Sequence, residues 1–133
     1  MDQLQKTVAN TGNGIRSIDK TKKILLIGNA KKALLLNRQE TYRVYQCDTV
    51  RQAWSLIYRH RPHLVVLNLA DSASDGLSAL QECRVLAGRV PIAAVPPAHL
   101  TRSLAEALEH QAMAVIPASS IARSIGKVLQ SVV

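Results

Sequence analysis

Short apolar runs recur along this chain, and between them the spacing of apolar residues changes from every second position to every third or fourth. KKILLIGN (22–29) is an apolar run stopped by Gly-Asn and predicts a buried strand. AKKALLLNRQE (30–40) has helix-forming composition, and YRVYQCD (42–48) alternates as a second strand. TVRQAWSLIYRHRP (49–62) predicts a helix capped by Asp48 or Thr49 and ended by Pro62, with Val50, Ala53, Trp54 and Ile57 on one face. HLVVLNLA (63–70) supplies a third strand, and GLSALQECRVLAG (76–88) a helix with Leu77, Leu80 and Cys83 inward and Gly88 as its stop. VPIAAVPP (90–97) is a fourth strand broken by Pro96-Pro97, and HLTRSLAEALEHQ (99–111) a helix that starts near Thr101 or Ser103. AMAVIP (112–117) is a fifth strand, and SSIARSIGKVLQSVV (119–133) a closing helix capped by Ser119 or Ser120.

Strand and helix thus alternate five times. This order predicts an α/β domain: a doubly wound, five-stranded parallel sheet with helices on both faces. At 133 residues the chain is one domain, with residues 1–20 read as a flexible polar tail and 21–133 as the folded unit. With no Phe, one Trp and three Tyr, aliphatic side chains must fill the core, as they do in parallel sheets. Two cysteines are too few for a disulfide framework and point to a reducing, cytoplasmic setting. No run approaches the roughly 20 apolar residues that cross a membrane, and the N-terminus lacks a signal-peptide core. A net charge of +8 suits an acidic partner. The basic residues are spread along the sequence without evident aromatic interleaving, so direct nucleic-acid binding is not the expected role.

Ligands of open parallel sheets bind beyond the carboxyl ends of the strands. Those ends are Gly28-Asn29, Asp48, Asn68 to Asp71, Pro96-Pro97 and Pro117-Ala118. The acids there and nearby, Asp48, Asp71 and Asp75, form no evident catalytic pair, and no serine has an adjacent base. His60, His63, His99 and His110 lack the partners of a zinc set and read as solvated. Cys83 reads as packed and inert, and Trp54 with Tyr58 as core and rim.

The segment RPHLVVLNLADSASDGLSAL resembles the third strand and following loop of response-regulator receiver domains, the CheY-like (receiver/flavodoxin-like) family. Arg61-Pro62 precede the strand, Asn68 stands where that family has its phospho-accepting Asp, and Asp75-Gly76-Leu77 match the later part of the pattern. The resemblance implies that the family's acidic pair falls on Gly28 and Asn29, its strand-four hydroxyl residue on Pro96, its switch aromatic on Val115, and its lysine near Ala118. Asparagine is no anionic nucleophile, and magnesium needs carboxylate oxygens. The resemblance therefore implies a pseudo-receiver with no cofactor, no metal and no catalytic residue. Asp71 as a substitute acceptor, or deamidated Asn68, would still lack metal ligands.

The expected role is a phosphorylation-independent module of two-component signalling that regulates transcription or another output through a protein partner: an effector, a kinase or a fused output domain. The last two helices, through Leu104, Leu108, Ile121, Ile125, Val128 and Leu129, are the expected interaction face and a route to a homodimer. Alternatives are a small-molecule sensor using the vacated pocket around Gly28, Asn29, Asn68 and Pro96, and a nucleic-acid-binding basic domain.

Overall fold

The computed structural model describes residues 22–29, 42–70 and 76–131. The expected tail, the helix over 30–40, Asp71, Asp75 and the last two valines lie outside the described residues. The elements are β1 (Lys22–Ile27), β2 (Tyr42–Cys47), α1 (Val50–His60), β3 (Leu64–Asn68), α2 (Gly76–Ala87), β4 (Ile92–Val95), α3 (Arg102–Gln111), β5 (Ala114–Val115) and α4 (Ile121–Ser131). A 3-10 turn, Ala118–Ser120, leads into α4. All strand pairs are parallel, in the order β2-β1-β3-β4-β5.

The central strands are apolar throughout because both of their faces are covered. Leu25 and Ile27 of β1, Val65 and Leu67 of β3, and Ile92 and Ala94 of β4 point into one core layer, closed by Val50, Ala53, Leu80, Cys83, Leu104 and Leu108. The alternating positions Ile24, Leu26, Leu64, Val66, Ala93 and Val95 point into a second layer, closed by Ile121, Ile125 and Leu129. Helices α1, α2 and α3 thus cover one face and α4 the other, which is the doubly wound arrangement that the alternation predicts. None of the described helices is long and apolar enough to cross a membrane.

Local chemistry fixes the element ends. Thr49 caps α1: its hydroxyl accepts from Gln52 N while the Gln52 side chain accepts from the Asp48 and Thr49 amides. The helix stops at Arg61, held in left-handed backbone (φ 48°) before Pro62. Gly88 (φ 62°) turns the chain after α2. The Arg84 guanidinium donates to the Gly88 carbonyl, to Val90 O at 2.8 Å and to Gln111 O at 3.3 Å, tying the end of α2 to the end of α3. Thr101 caps α3. The Ser120 hydroxyl donates back to Pro117 O.

Three expectations change. Leu104, Leu108, Ile121, Ile125 and Leu129 are 4% exposed or less and Val128 is half-buried, so they form the core and not an interaction face. Their spacing of four along α3 and α4 is the inward stripe itself, which a sequence cannot tell from an outward one. Trp54, expected in the packed face of α1, is 61% exposed, and Tyr58 is 75% exposed. Trp54 sits one residue, about 100° of helix, past Ala53, which turns it off the buried stripe. His60 is half-buried rather than solvated, its ring stacked on Tyr45 at 4.0 Å between centroids.

Candidate functional site

A cavity of about 720 Å³ opens at the carboxyl ends of β1, β2 and β3, between the start of α1 and the outer side of α2. Its polar lining comes from Asn29, Asp48, Thr49, Arg51, Asn68, Ser78 and Glu82, over an apolar floor of Ile27, Leu67 and Leu69. The structure therefore brings together three of the sequence-derived positions: Gly28, Asn29 and Asn68. It leaves Pro96, Val115 and Ala118 outside the lining; Val115 is 48% exposed and Ala118 lies in the 3-10 turn.

Asn68 ends β3 with its side chain turned onto its own loop. Its Oδ1 accepts from the Ala70 amide at 3.0 Å, a local turn that ties up the side-chain oxygen. Gly28 meets it from β1. Gly28 has φ 113°, and a Cβ built there would stand 2.8 Å from Asn68 Cβ and 3.0 Å from Asn68 O. Backbone angle and space both exclude a side chain at position 28. Gln46 fastens the same corner: its Nε2 donates to Gly28 O at 2.7 Å, to Cys47 O at 3.0 Å and to Asp48 Oδ1 at 3.1 Å.

The charges of the cavity are Asp48 and Glu82 against Arg51. A magnesium ion wants several carboxylate oxygens around one point. Gly28 and Asn29 carry none, position 28 has no room for one, and the Asp48 carboxylate is already engaged by Gln46. Among the described residues no three His, Cys, Asp or Glu stand together as metal ligands. The described residues therefore do not fit that ion.

Neither cysteine is placed for nucleophilic work. Burial pushes the Cys83 thiol up to about 12 against the lowering pull of the adjacent Arg84, and burial followed by the Asp48 charge raises Cys47. Sequence reasoning named Asp48 as a strand-end acid but missed Arg51, Ser78 and Glu82. Ser78 and Glu82 are four apart on α2 and so share a face, and Arg51 lies in the first turn after β2; that spacing was readable once the strand ends were known.

No family model and no curated protein matches this chain. Solved structures do. A receiver domain of a sensor histidine kinase from Pseudomonas aeruginosa, with a magnesium ion coordinated in its active-site cleft, superposes with TM-score 0.64 at 22% identity, covering 84% of this chain and 97% of that one. A LuxR-family two-component response regulator from Aurantimonas gives 0.63 at 20% identity over 84% of this chain and 86% of that one. A streptococcal protein, described as one of a family of redox sensors evolved from two-component response regulators, gives 0.63 at 16% identity over 83% of this chain and 52% of its own. The chain has the fold of response-regulator receiver domains.

Proposed function

We propose that this receiver fold works as a pseudo-receiver: a signalling module that changes its partners by binding and not by accepting a phosphoryl group. The observation that carries the reading is the contact of Gly28 with Asn68. The position that the resemblance aligns with a metal-holding acid is pressed against the asparagine that takes the place of the acceptor, with 2.8 Å left for any Cβ. The space beside Gly28 is taken by Asn68, so this position lacks room for an acid as well as the charge. Pro96, Val115 and Ala118, which the resemblance aligns with the remaining phosphoryl-responsive groups, offer neither a hydroxyl, an aromatic ring nor a charge.

The proposed output is contact with a protein partner, in transcription control or another cytoplasmic signalling step, with self-association as the first case to test. The surface assigned to it moves from the six core residues to the β5 edge, where Met113, just before the strand, and Val115 within it are 44% and 48% exposed. Sedimentation of the wild type and of Val115→Glu tests this: a dimer lost in the variant supports it, and a wild-type monomer at all concentrations removes self-association.

The cavity favours a second reading, a small-molecule sensor. It has the volume of a ligand site, an apolar floor and a few fixed polar groups. The streptococcal redox sensors show that proteins of this fold can be described by a signal other than phosphoryl transfer. One experiment addresses both readings. An amide NMR titration with magnesium and beryllofluoride, a phosphoryl mimic, should leave Gly28, Asn29, Asn68 and Ala118 unshifted; saturable shifts there would overturn the pseudo-receiver reading. A metabolite screen on the same resonances tests the sensor.

A further inference from the structure

Helix α1 presents an outward face unlike that of the other described helices. Trp54 and Tyr58, 61% and 75% exposed, lie one helical turn apart with ring centroids 6.1 Å from each other and planes within 8° of parallel. Arg51, Ser55 and Arg59 share that exposed face, and Arg61 follows at the cap. The helix sequence VRQAWSLIYRH contains no acid. The cationic surface continues past the end of α1 onto the amino edge of the sheet. There Lys23 Nζ donates to His60 O, and Lys22 and Lys23 lie close enough to His63 to add to the lowering of its pKa that burial begins. Among the described residues from 22 to 69 there are six Lys or Arg and a single acid, Asp48. Among the described residues, the other carboxylate near this face is Glu82, across the cavity from Arg51.

The linear sequence hides this arrangement, because arginines and aromatics interleave only when the helix brings positions 51, 54, 55, 58 and 59 to one side. Leaving a tryptophan and a tyrosine in water costs apolar burial that inward packing would have supplied. The two rings stand as parallel plates with flat faces, and the charges beside them on the helix are arginines, whose planar guanidinium both pairs with phosphate and stacks on bases. The outward side of α1 carries no aliphatic residue, which leaves little to insert into a lipid surface. An acidic polypeptide would satisfy the charge, but it has no planar groups to match the rings.

We infer that the α1 face is a binding surface for single-stranded nucleic acid: bases stack on Trp54 and Tyr58, and phosphates follow Arg51, Arg59 and Arg61. The inference stands apart from the pseudo-receiver reading, since it uses no group of the Asn68 corner except Arg51 at the cavity rim. Stacking of this kind tolerates any base, so the surface discriminates single strands from duplex rather than one sequence from another.

Trp54 is the only tryptophan in the chain and reports directly on the surface. The full chain is titrated with an oligothymidylate at low salt while tryptophan fluorescence is followed, with polyglutamate and phosphatidylglycerol vesicles in parallel. The expected result is saturable quenching by the oligonucleotide alone, with log affinity falling against log salt at a slope of about −2 from three arginine contacts. Tyr58→Ala should weaken binding about tenfold or more through loss of one stacking partner. Arg59→Ala should reduce the salt slope by about 0.7. Both side chains are exposed, so an unchanged thermal midpoint certifies that the variants fold. Absence of quenching, equal binding of polyglutamate, binding of vesicles alone, or a Tyr58→Ala protein that binds as tightly as wild type overturns the assignment; the second and third outcomes reassign the face to an acidic protein and to a membrane.

Discussion

Putting an acid back at Gly28 tests the central structural argument. Gly28→Ala adds only the Cβ, 2.8 Å from Asn68 Cβ and 3.0 Å from Asn68 O, on a backbone with φ 113°. Forcing a non-glycine residue into that region costs about 1–3 kcal/mol. Overpacking a filled site costs about 1–3 kcal/mol more, for a total of about 2–6 kcal/mol. Against a domain stability of about 5–15 kcal/mol this is a large fraction, and it lowers the thermal midpoint by on the order of 10 °C or more. Gly28→Asp should cost at least as much. Asn68→Asp is nearly isosteric and keeps the oxygen that accepts from the Ala70 amide, so it should fold with stability close to wild type. It should still take no phosphoryl group from a small-molecule phosphodonor, because no metal site forms beside it.

Urea unfolding of Gly28→Ala, Asn68→Gly and the double variant separates the two costs. Removing the Asn68 Cβ should recover part of the Gly28→Ala loss, with a coupling of about 1 kcal/mol or more, while the backbone cost remains. A Gly28→Ala protein within about 0.5 kcal/mol of wild type would refute the close-approach argument. Full additivity would place the whole cost in the backbone, and phosphorylation of Asn68→Asp would refute the claim that the site is closed to the chemistry.

Other consequences are checked more simply. Burial, with Lys22 and Lys23 beside it, holds His63 below its usual pKa, and its neutral Nδ1 accepts from Lys23 N at 3.0 Å; stability is therefore full above pH 6.5 and falls as pH drops from 6.5 toward the lowered folded value, a fall that His63→Gln should reduce in thermal melts. Cys83, fully buried with its thiol pushed up to about 12, should resist alkylation in the native protein and react only on unfolding, and a native adduct seen by mass spectrometry would contradict its placement. Ile125→Ala should cost about 2–5 kcal/mol in denaturant unfolding, whereas Val85→Ala, at a position 79% exposed, should change stability by less than about 0.5 kcal/mol.

The sheet was legible because its central strands carry apolar runs such as IAAV and LVVL, which suit strands covered on both faces, and because helical segments alternate with them. The strand ends, and with them Gly28, Asn29 and Asn68 in one cavity, followed from the turn residues. Spacing alone could not say which way a stripe points. Leu104 and Leu108 were as compatible with a docking face as with the core, and the packing of α3 beside α2 in one core layer decided for the core. Trp54 escaped for the same reason, one step around the helix from Ala53. The Gly28–Asn68 contact joins residues 40 positions apart and depends on β1 and β3 pairing with Ile27 opposite Leu67, which no local pattern encodes.

That contact bears on how a domain of this fold can carry a signal at all. Carboxylates crowded at one strand end repel one another, and a bound cation is what makes such a cluster tolerable and responsive. Here the corner is satisfied internally: Asn68 by the Ala70 amide, the Gly28 carbonyl and Asp48 by Gln46, and the start of α1 by the Thr49–Gln52 pair. On the proposed reading, a corner with its hydrogen bonds made and its charge reduced offers a phosphoryl group or a metal no second state to select. The groups left with unspent binding capacity lie elsewhere, in Arg51, Ser78 and Glu82 around the cavity, the exposed β5 edge, and the arginines and rings of α1. On the pseudo-receiver reading, a signal through this domain is the occupancy of those surfaces, and Arg51, which belongs to both the cavity and the α1 face, is where two occupants would compete.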